Sequence, residues 1–110
     1  MGREKRREAR RDVRLPAKVR NATGVARRAV VTDLSASGCR MYLKGARLGP
    51  NSFFTLTLDR MGFLDSTVRW SQGAFYGVKF AQQLYPPVVE HLCESFPAPA
   101  EGDEHAQSEP

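Results

Sequence analysis

The sequence predicts a small, mainly β domain in which six short strands close into a barrel and one helix follows. Three observations predict it. Apolar and polar residues alternate with a period of two in six stretches between Val13 and Phe80, the pattern of half-buried strands. Turn-forming residues separate these stretches at near-regular intervals. After Pro86 and Pro87 the apolar spacing changes from two to four.

The first strand is carried by Val13, Leu15, Ala17 and Val19, which alternate with Arg14, Pro16, Lys18 and Arg20. Pro16 cannot donate to a ladder, so it points to an edge or a bulge. Asn21, Ala22, Thr23 and Gly24 supply turn chemistry, and Val25 to Asp33 then reads as a second strand delivering Leu34 and Ser35 into a polar turn. Cys39, Met41 and Leu43 mark a third strand, ended by Gly49, Pro50 and Asn51. Three more follow, on Phe54, Leu56 and Leu58, on Leu64, Val68 and Trp70, and on Tyr76, Val78 and Phe80, with glycine-containing turns between them. Closing six such strands on themselves removes the edges that would pair with other chains. Pro86 and Pro87 are tolerated at a helix start, and Val88, Val89, Leu92, Cys93 and Phe96 form one apolar stripe after them. Pro97 and Pro99 stop the helix, and the residues beyond have almost nothing to bury.

A chain of 110 residues with 41% hydrophobic content holds one domain with a modest core. We divide it into a flexible basic arm at 1–12, a barrel with its helix at 13–96, and a disordered acidic tail at 97–110. The charge is uneven. Residues 1–20 carry nine Lys or Arg and three acids, whereas residues 94–110 carry five acids and neither Lys nor Arg. A basic arm attracts polyanions in general, so nucleic acid, an anionic membrane surface and a phosphate-bearing small molecule all fit its sign. No window has the roughly 18 apolar residues of a membrane span, and no apolar stretch follows the charged start as in a secretory signal, so the expected location is cytoplasmic. Cys39 and Cys93 lack the spacing of a zinc or redox motif and read as buried thiols. Neither His91 nor His105 has a motif partner for metal binding or nucleophilic catalysis, so neither a metal nor an enzymatic activity is expected.

The most informative residues are an arginine run, Arg6, Arg7, Arg10 and Arg11, and the segment Asp33-Leu34-Ser35-Ala36-Ser37-Gly38, which reads Asp-x-Ser-x-x-Gly. An arginine fork can bond a phosphate or the O6/N7 edge of guanine and can stack on a base. An ionised carboxylate such as Asp33 accepts from the opposite edge, where guanine offers N1–H and N2–H. Ser35 could bond a phosphate or a base, and Gly38 allows close backbone approach. The alternative for Asp33 and Ser35 is a turn whose side-chain oxygens bond nearby backbone N–H groups, and both roles can coexist.

Arg-x-x-x-Arg followed about twenty residues later by Asp-x-Ser-x-x-Gly resembles the signature of the PilZ domain family, bacterial receptors for cyclic di-GMP. The resemblance extends through Val68-Arg69-Trp70 and Gly77-Val78-Lys79-Phe80. It implies a six-stranded antiparallel β-barrel with a C-terminal helix. It also implies a cyclic di-GMP site made by Arg7 and Arg11 from the arm and by Asp33, Ser35 and Gly38 from the barrel. Arg6/Arg10 and Arg10/Arg14 satisfy the same spacing; Arg7/Arg11 is chosen because a further arginine, Arg6, then precedes the motif and the first strand follows without a gap. In the family that preceding residue bears on whether one ligand or an intercalated pair binds, and Arg6 favours the pair. Arg10, Arg40, Trp70 and Gly77 form a secondary set. Arg40 could add charge near the ligand or simply be an exposed strand arginine. Trp70 reads first as core and second as an aromatic near a guanine, and Gly77 suggests a bulge or close approach.

The expected function is therefore a receptor and adaptor that draws its arm onto the barrel when cyclic di-GMP binds and signals through an effector protein. Two other readings stand beside it. One is a nucleic-acid-binding barrel with a basic arm, and the other is a ligand-independent PilZ adaptor of pilus or flagellar machinery.

Overall fold

Each alternating stretch becomes a strand, and all but the one ending at Trp70 turn their apolar side inward. The computed structural model describes residues 10–99. In it β1 (Arg11–Arg20), β2 (Ala26–Leu34) and β3 (Gly38–Tyr42) form one antiparallel meander, and β4 (Phe53–Leu58), β5 (Met61–Gln72) and β6 (Phe75–Phe80) form a second. β3 pairs with β6 and β1 with β4, so the two meanders close into a barrel of order β1-β2-β3-β6-β5-β4. One helix follows, α1 (Pro86–Ser95). The six-stranded antiparallel barrel with a C-terminal helix is thus the fold observed.

The connections explain where the strands end. Gly24 N–H donates to Asn21 O at 2.9 Å, and Asn21 Oδ1 accepts from Thr23 N–H at 3.0 Å, closing the first turn. Gly73 and Ala74 make a two-residue hairpin loop with Gly73 at φ 61°. The turn between β4 and β5 has no glycine, contrary to the sequence expectation. Leu58 pairs with Met61 across Asp59 and Arg60, and Asp59 takes φ 55°, a left-handed conformation that aspartate tolerates better than most residues.

Pro16 sits within β1 because the barrel needs no donor from it. In antiparallel pairing one residue's N–H and C=O point to the same neighbour. Pro16 O accepts from Asp59 N–H at 2.8 Å, just past Leu58, where the β4 ladder ends. The absent N–H therefore faces the end of that ladder. A bulge also occurs in β1, between Asp12 and Leu15.

Val13, Leu15 and Val19 of β1, Val31 of β2, Met41 of β3, Leu56 and Leu58 of β4, Val68 of β5 and Val78 of β6 fill the interior. Val89, Leu92 and Cys93 of α1 join this core, and α1 packs against β1, whose Arg14 N–H donates to Phe96 O at 2.9 Å. Arg11 and Asp12, assigned from sequence to the arm, are the first residues of β1. Residues 97–99, assigned to the tail, run on beside the barrel, where Pro97 forms a bridge with Val13. The remainder of the arm, 1–9, and of the tail, 100–110, lies outside the described residues.

Gly38 is the tightest point of the β3–β6 seam. A Cβ there would lie 2.1 Å from Val78 O, and backbone in a ladder cannot move aside cheaply. Gly38→Ala is accordingly expected to cost at least ~1–3 kcal/mol in urea denaturation, the range for forced overpacking. Gly62, whose Cβ would meet nothing within 4 Å, is the control: Gly62→Ala should stay within about 0.5 kcal/mol of the parent.

Candidate functional site

Residues directly opposite in paired strands share a face of the sheet. Asp12 pairs with Asp33, Asp33 with Arg40, Arg40 with Gly77, and Gly77 with Trp70. This single row crosses β1, β2, β3, β6 and β5 on the outside of the barrel. Four sequence-derived candidates, Asp33, Arg40, Gly77 and Trp70, stand side by side in it. The rows on either side, Leu34–Cys39–Val78–Val68 and Leu15–Val31–Met41–Tyr76, are buried.

Trp70 is the main correction to the core reading. Two positions after the buried Val68 it should point inward, yet it is 46% exposed. The cause is a bulge: Val68 pairs with Val78 and Trp70 with Gly77, leaving Arg69 as the extra residue on β5. Arg69 and Trp70 are therefore both exposed. The indole lies over Gly77, where a Cβ would come within 2.1 Å of Trp70 Nε1. Gly77 is thus a place of close approach, and any side chain there would evict the indole. A similar register step on β2, with Thr32 as the extra residue between Val31 and Asp33, pairs Asp33 with the outward Arg40. Thr32 Oγ1 donates to Arg40 O at 3.3 Å across that bulge.

A cleft of about 180 Å³ opens here, lined among others by Arg10, Asp33, Arg40, Arg69, Trp70 and Gly77. Arg10 Nη1 donates to Asp33 Oδ1 at 2.6 Å, an ion pair with side chains 55% and 17% exposed. Arg10, rather than Arg11, is therefore the arginine brought to Asp33. Arg11 pairs with Leu34 in the neighbouring row, and its charge acts on Cys93 of α1 instead. Arg6 and Arg7 lie outside the described residues. Arg69 was not among the sequence candidates; it reaches the cleft beside Trp70 only because of the bulge between Val68 and Trp70. Its sequence signal was limited to the family resemblance at Val68-Arg69-Trp70, which does not say which of the three faces outward.

Ser35 and Gly38 build the cleft without both facing it. Ser35 is buried, its Oγ donates to Gly38 O at 3.3 Å, and its N–H donates to the same oxygen at 2.9 Å. Phe80 N–H donates to Ser37 O at 2.9 Å, and Leu84 N–H to Ala36 O at 2.8 Å, so the Ser35–Gly38 turn is tied to the end of β6 and the segment after it. Gly38 lines the cleft through backbone. Beneath the ion pair, burial pushes the Cys39 thiol well above the usual range, with Asp33 adding to the rise and Arg10 opposing it. Burial also raises Cys93, with Arg11 opposing and Glu90 and Glu94 adding.

Among the described residues no group of three or more His, Cys, Asp and Glu is placed to hold a metal ion, and no helix is long and apolar enough to cross a membrane. Chemically the cleft offers three guanidinium groups, one carboxylate and one indole face. That set suits an anionic ligand carrying a planar base with donor groups on one edge. The family model described as PilZ domain matches residues 4–94. No curated protein matches the chain.

Two outcomes follow from this geometry. Trp70 is the sole tryptophan, so Gly77→Ala, by displacing the indole, should shift its fluorescence emission to longer wavelength. The raised Cys39 pKa makes a pH prediction. A thiol held protonated when folded stabilises fully below its unfolded pKa of about 8.5, and that stability is lost as pH rises beyond it. Urea denaturation between about pH 8 and 10 should show the parent losing up to ~1.4 kcal/mol per pH unit relative to Cys39→Ala. Parallel pH slopes would assign the loss to other groups.

Proposed function

Because the chain belongs to the PilZ domain family, we propose that it is a receptor for cyclic di-GMP whose barrel-side site is the outer row Asp33–Arg40–Gly77–Trp70. The observation that carries this reading is the Arg10–Asp33 ion pair beside an outward-turned tryptophan. Asp33 accepts from the N1–H and N2–H edge of one guanine, which lies near the indole. Arg10, released from Asp33, and Arg69 and Arg40 face the phosphates and the O6/N7 edge. An exposed ion pair is worth only about 0–1 kcal/mol, so a ligand that satisfies both partners exchanges into it readily.

The cleft, at about 180 Å³, is smaller than the roughly 300–1,000 Å³ of pockets that enclose a whole drug-sized ligand. It takes one base, and the remainder of the ligand needs a second wall. Arg6 and Arg7 of the arm are the residues proposed for it, and only in the Arg7/Arg11 register does Arg6 precede the motif and favour an intercalated pair, since Lys5 precedes it in the Arg6/Arg10 register. Arg10 belongs to the same segment and already stands on Asp33, which supports the Arg6/Arg10 register over Arg7/Arg11. The arm is thereby coupled to occupancy: exchange of the Arg10 partner changes the surface ahead of β1, and an effector protein reads that surface. Ser35 and Gly38 act by holding the turn and the seam. The reading is one of binding without turnover, in the cytoplasm.

Isothermal titration with cyclic di-GMP tests the proposal. Arg10→Ala and Asp33→Ala should each weaken binding at least about tenfold, a change of ~1.4 kcal/mol, while Arg11→Ala stays within about threefold. A stoichiometry near two ligands per chain would support the intercalated pair. Saturable binding that survives Asp33→Ala would overturn the site, and loss confined to Arg11→Ala would restore the other register.

A further inference from the structure

The next outward row beyond the ligand row is unusual for a barrel exterior. Pro16 pairs with Val30, Val30 with Tyr42, and Tyr42 with Phe75, giving an apolar stripe across β1, β2, β3 and β6. Tyr42 and Phe75 are half-buried and in ring contact at 5.1 Å, and Arg40 lies 5.0 Å from the centre of the Phe75 ring. The stripe is the floor of two adjoining grooves that share Val30 and Tyr42. One of about 560 Å³ is bordered by Arg14 and Arg40, the other of about 440 Å³ by Lys18, Arg28 and Lys44. Five basic side chains thus border one continuous depression, against Asp12 and Asp59 as its acids.

The chain itself already enters it. Ala98 and Pro99 line the larger groove, held there by the Val13–Pro97 bridge. The eleven residues that follow Pro99 in the sequence carry Glu101, Asp103, Glu104 and Glu109 and no Lys or Arg. Extended, they reach roughly 35–40 Å. That exceeds the 26 Å short axis of the molecule and is enough to follow the depression. Tethering supplies an effective concentration on the order of millimolar, which makes weak ion pairs count.

We propose that the acidic segment 100–110 docks in this basic depression, its carboxylates set against Arg40, Arg28, Lys18 and Lys44. The contact is electrostatic and intramolecular. It shields the barrel wall from other polyanions and loosens as salt screens it. The proposal does not depend on the ligand site, although Arg40 borders both.

A nitroxide attached at Ser108→Cys of the full chain tests it, since the native thiols Cys39 and Cys93 are buried and resist labelling. At about 10 mM salt the label should broaden the backbone amide signals of Arg28, Tyr42 and Lys44, and at about 0.5 M salt the broadening should vanish. Replacing Glu101, Asp103, Glu104 and Glu109 by their amides should remove it at low salt as well. Absence of broadening on this wall at low salt overturns the proposal. Broadening in a mixture of labelled unenriched chain with unlabelled isotope-enriched chain also overturns it, because the occupant is then a second copy. A short oligothymidylate that shifts these signals equally in the parent and the amide variant would assign the depression to nucleic acid, again against the proposal.

Discussion

Two three-stranded meanders with apolar inner faces cannot each bury that face alone, and the pairing of β3 with β6 is where they meet. The seam demands that the backbones approach without obstruction. Across the seam Gly38 faces Val78 O, while Gly77, on the β5 side of β6, faces the Trp70 indole. The first glycine lets the strands close, and the second gives the tryptophan a place to lie on the outside of the closed wall. The outer row depends on this arrangement, since Asp33 and Trp70 come from different meanders and face the same side only through Arg40 and Gly77.

Much of the architecture was legible in the sequence because alternation is a local property. Val13 to Val19 carry their inward and outward faces in plain order, and the α1 stripe through Val89, Leu92 and Cys93 is equally local. The bulges were not legible. Whether Arg69 or Thr32 is the extra residue is decided by the partner strand, so the outward turn of Trp70 and the entry of Arg69 into the cleft could not be read from β5 by itself. The arginine register was hidden for a similar reason. Four arginines between Arg6 and Arg11 offer several equivalent spacings, and only the pairing of Asp12 with Asp33 and Arg11 with Leu34 puts Arg10 on the carboxylate. Ser35 shows the opposite case, in which a motif hydroxyl serves the turn that shapes the site.

Charge on this protein is organised by wall rather than by residue. The same outer surface carries the three arginines of the cleft and the basic border of the neighbouring depression, with Arg40 standing between them. Its guanidinium is steadied by the Phe75 ring, an arrangement worth about 0.5–1 kcal/mol at an exposed site. A change in what Arg40 pairs with on one side therefore alters the field on the other.

The seam has a kinetic side as well. Gly38 and Lys79 lie 41 positions apart, and Ala17 and Leu58, which close the other side, are equally distant. Pairings this remote form only after chain-closure entropy has been overcome, so hairpins come early and barrel closure late. The outer row from Asp33 to Trp70 spans the late seam, and a chain still emerging from the ribosome lacks it until β6 has been made. A ligand of that row would come too late to guide the early hairpins. On the proposed site a bound nucleotide would span β2, β3, β5 and β6, hold the barrel shut afterwards and slow unfolding rather than aid folding.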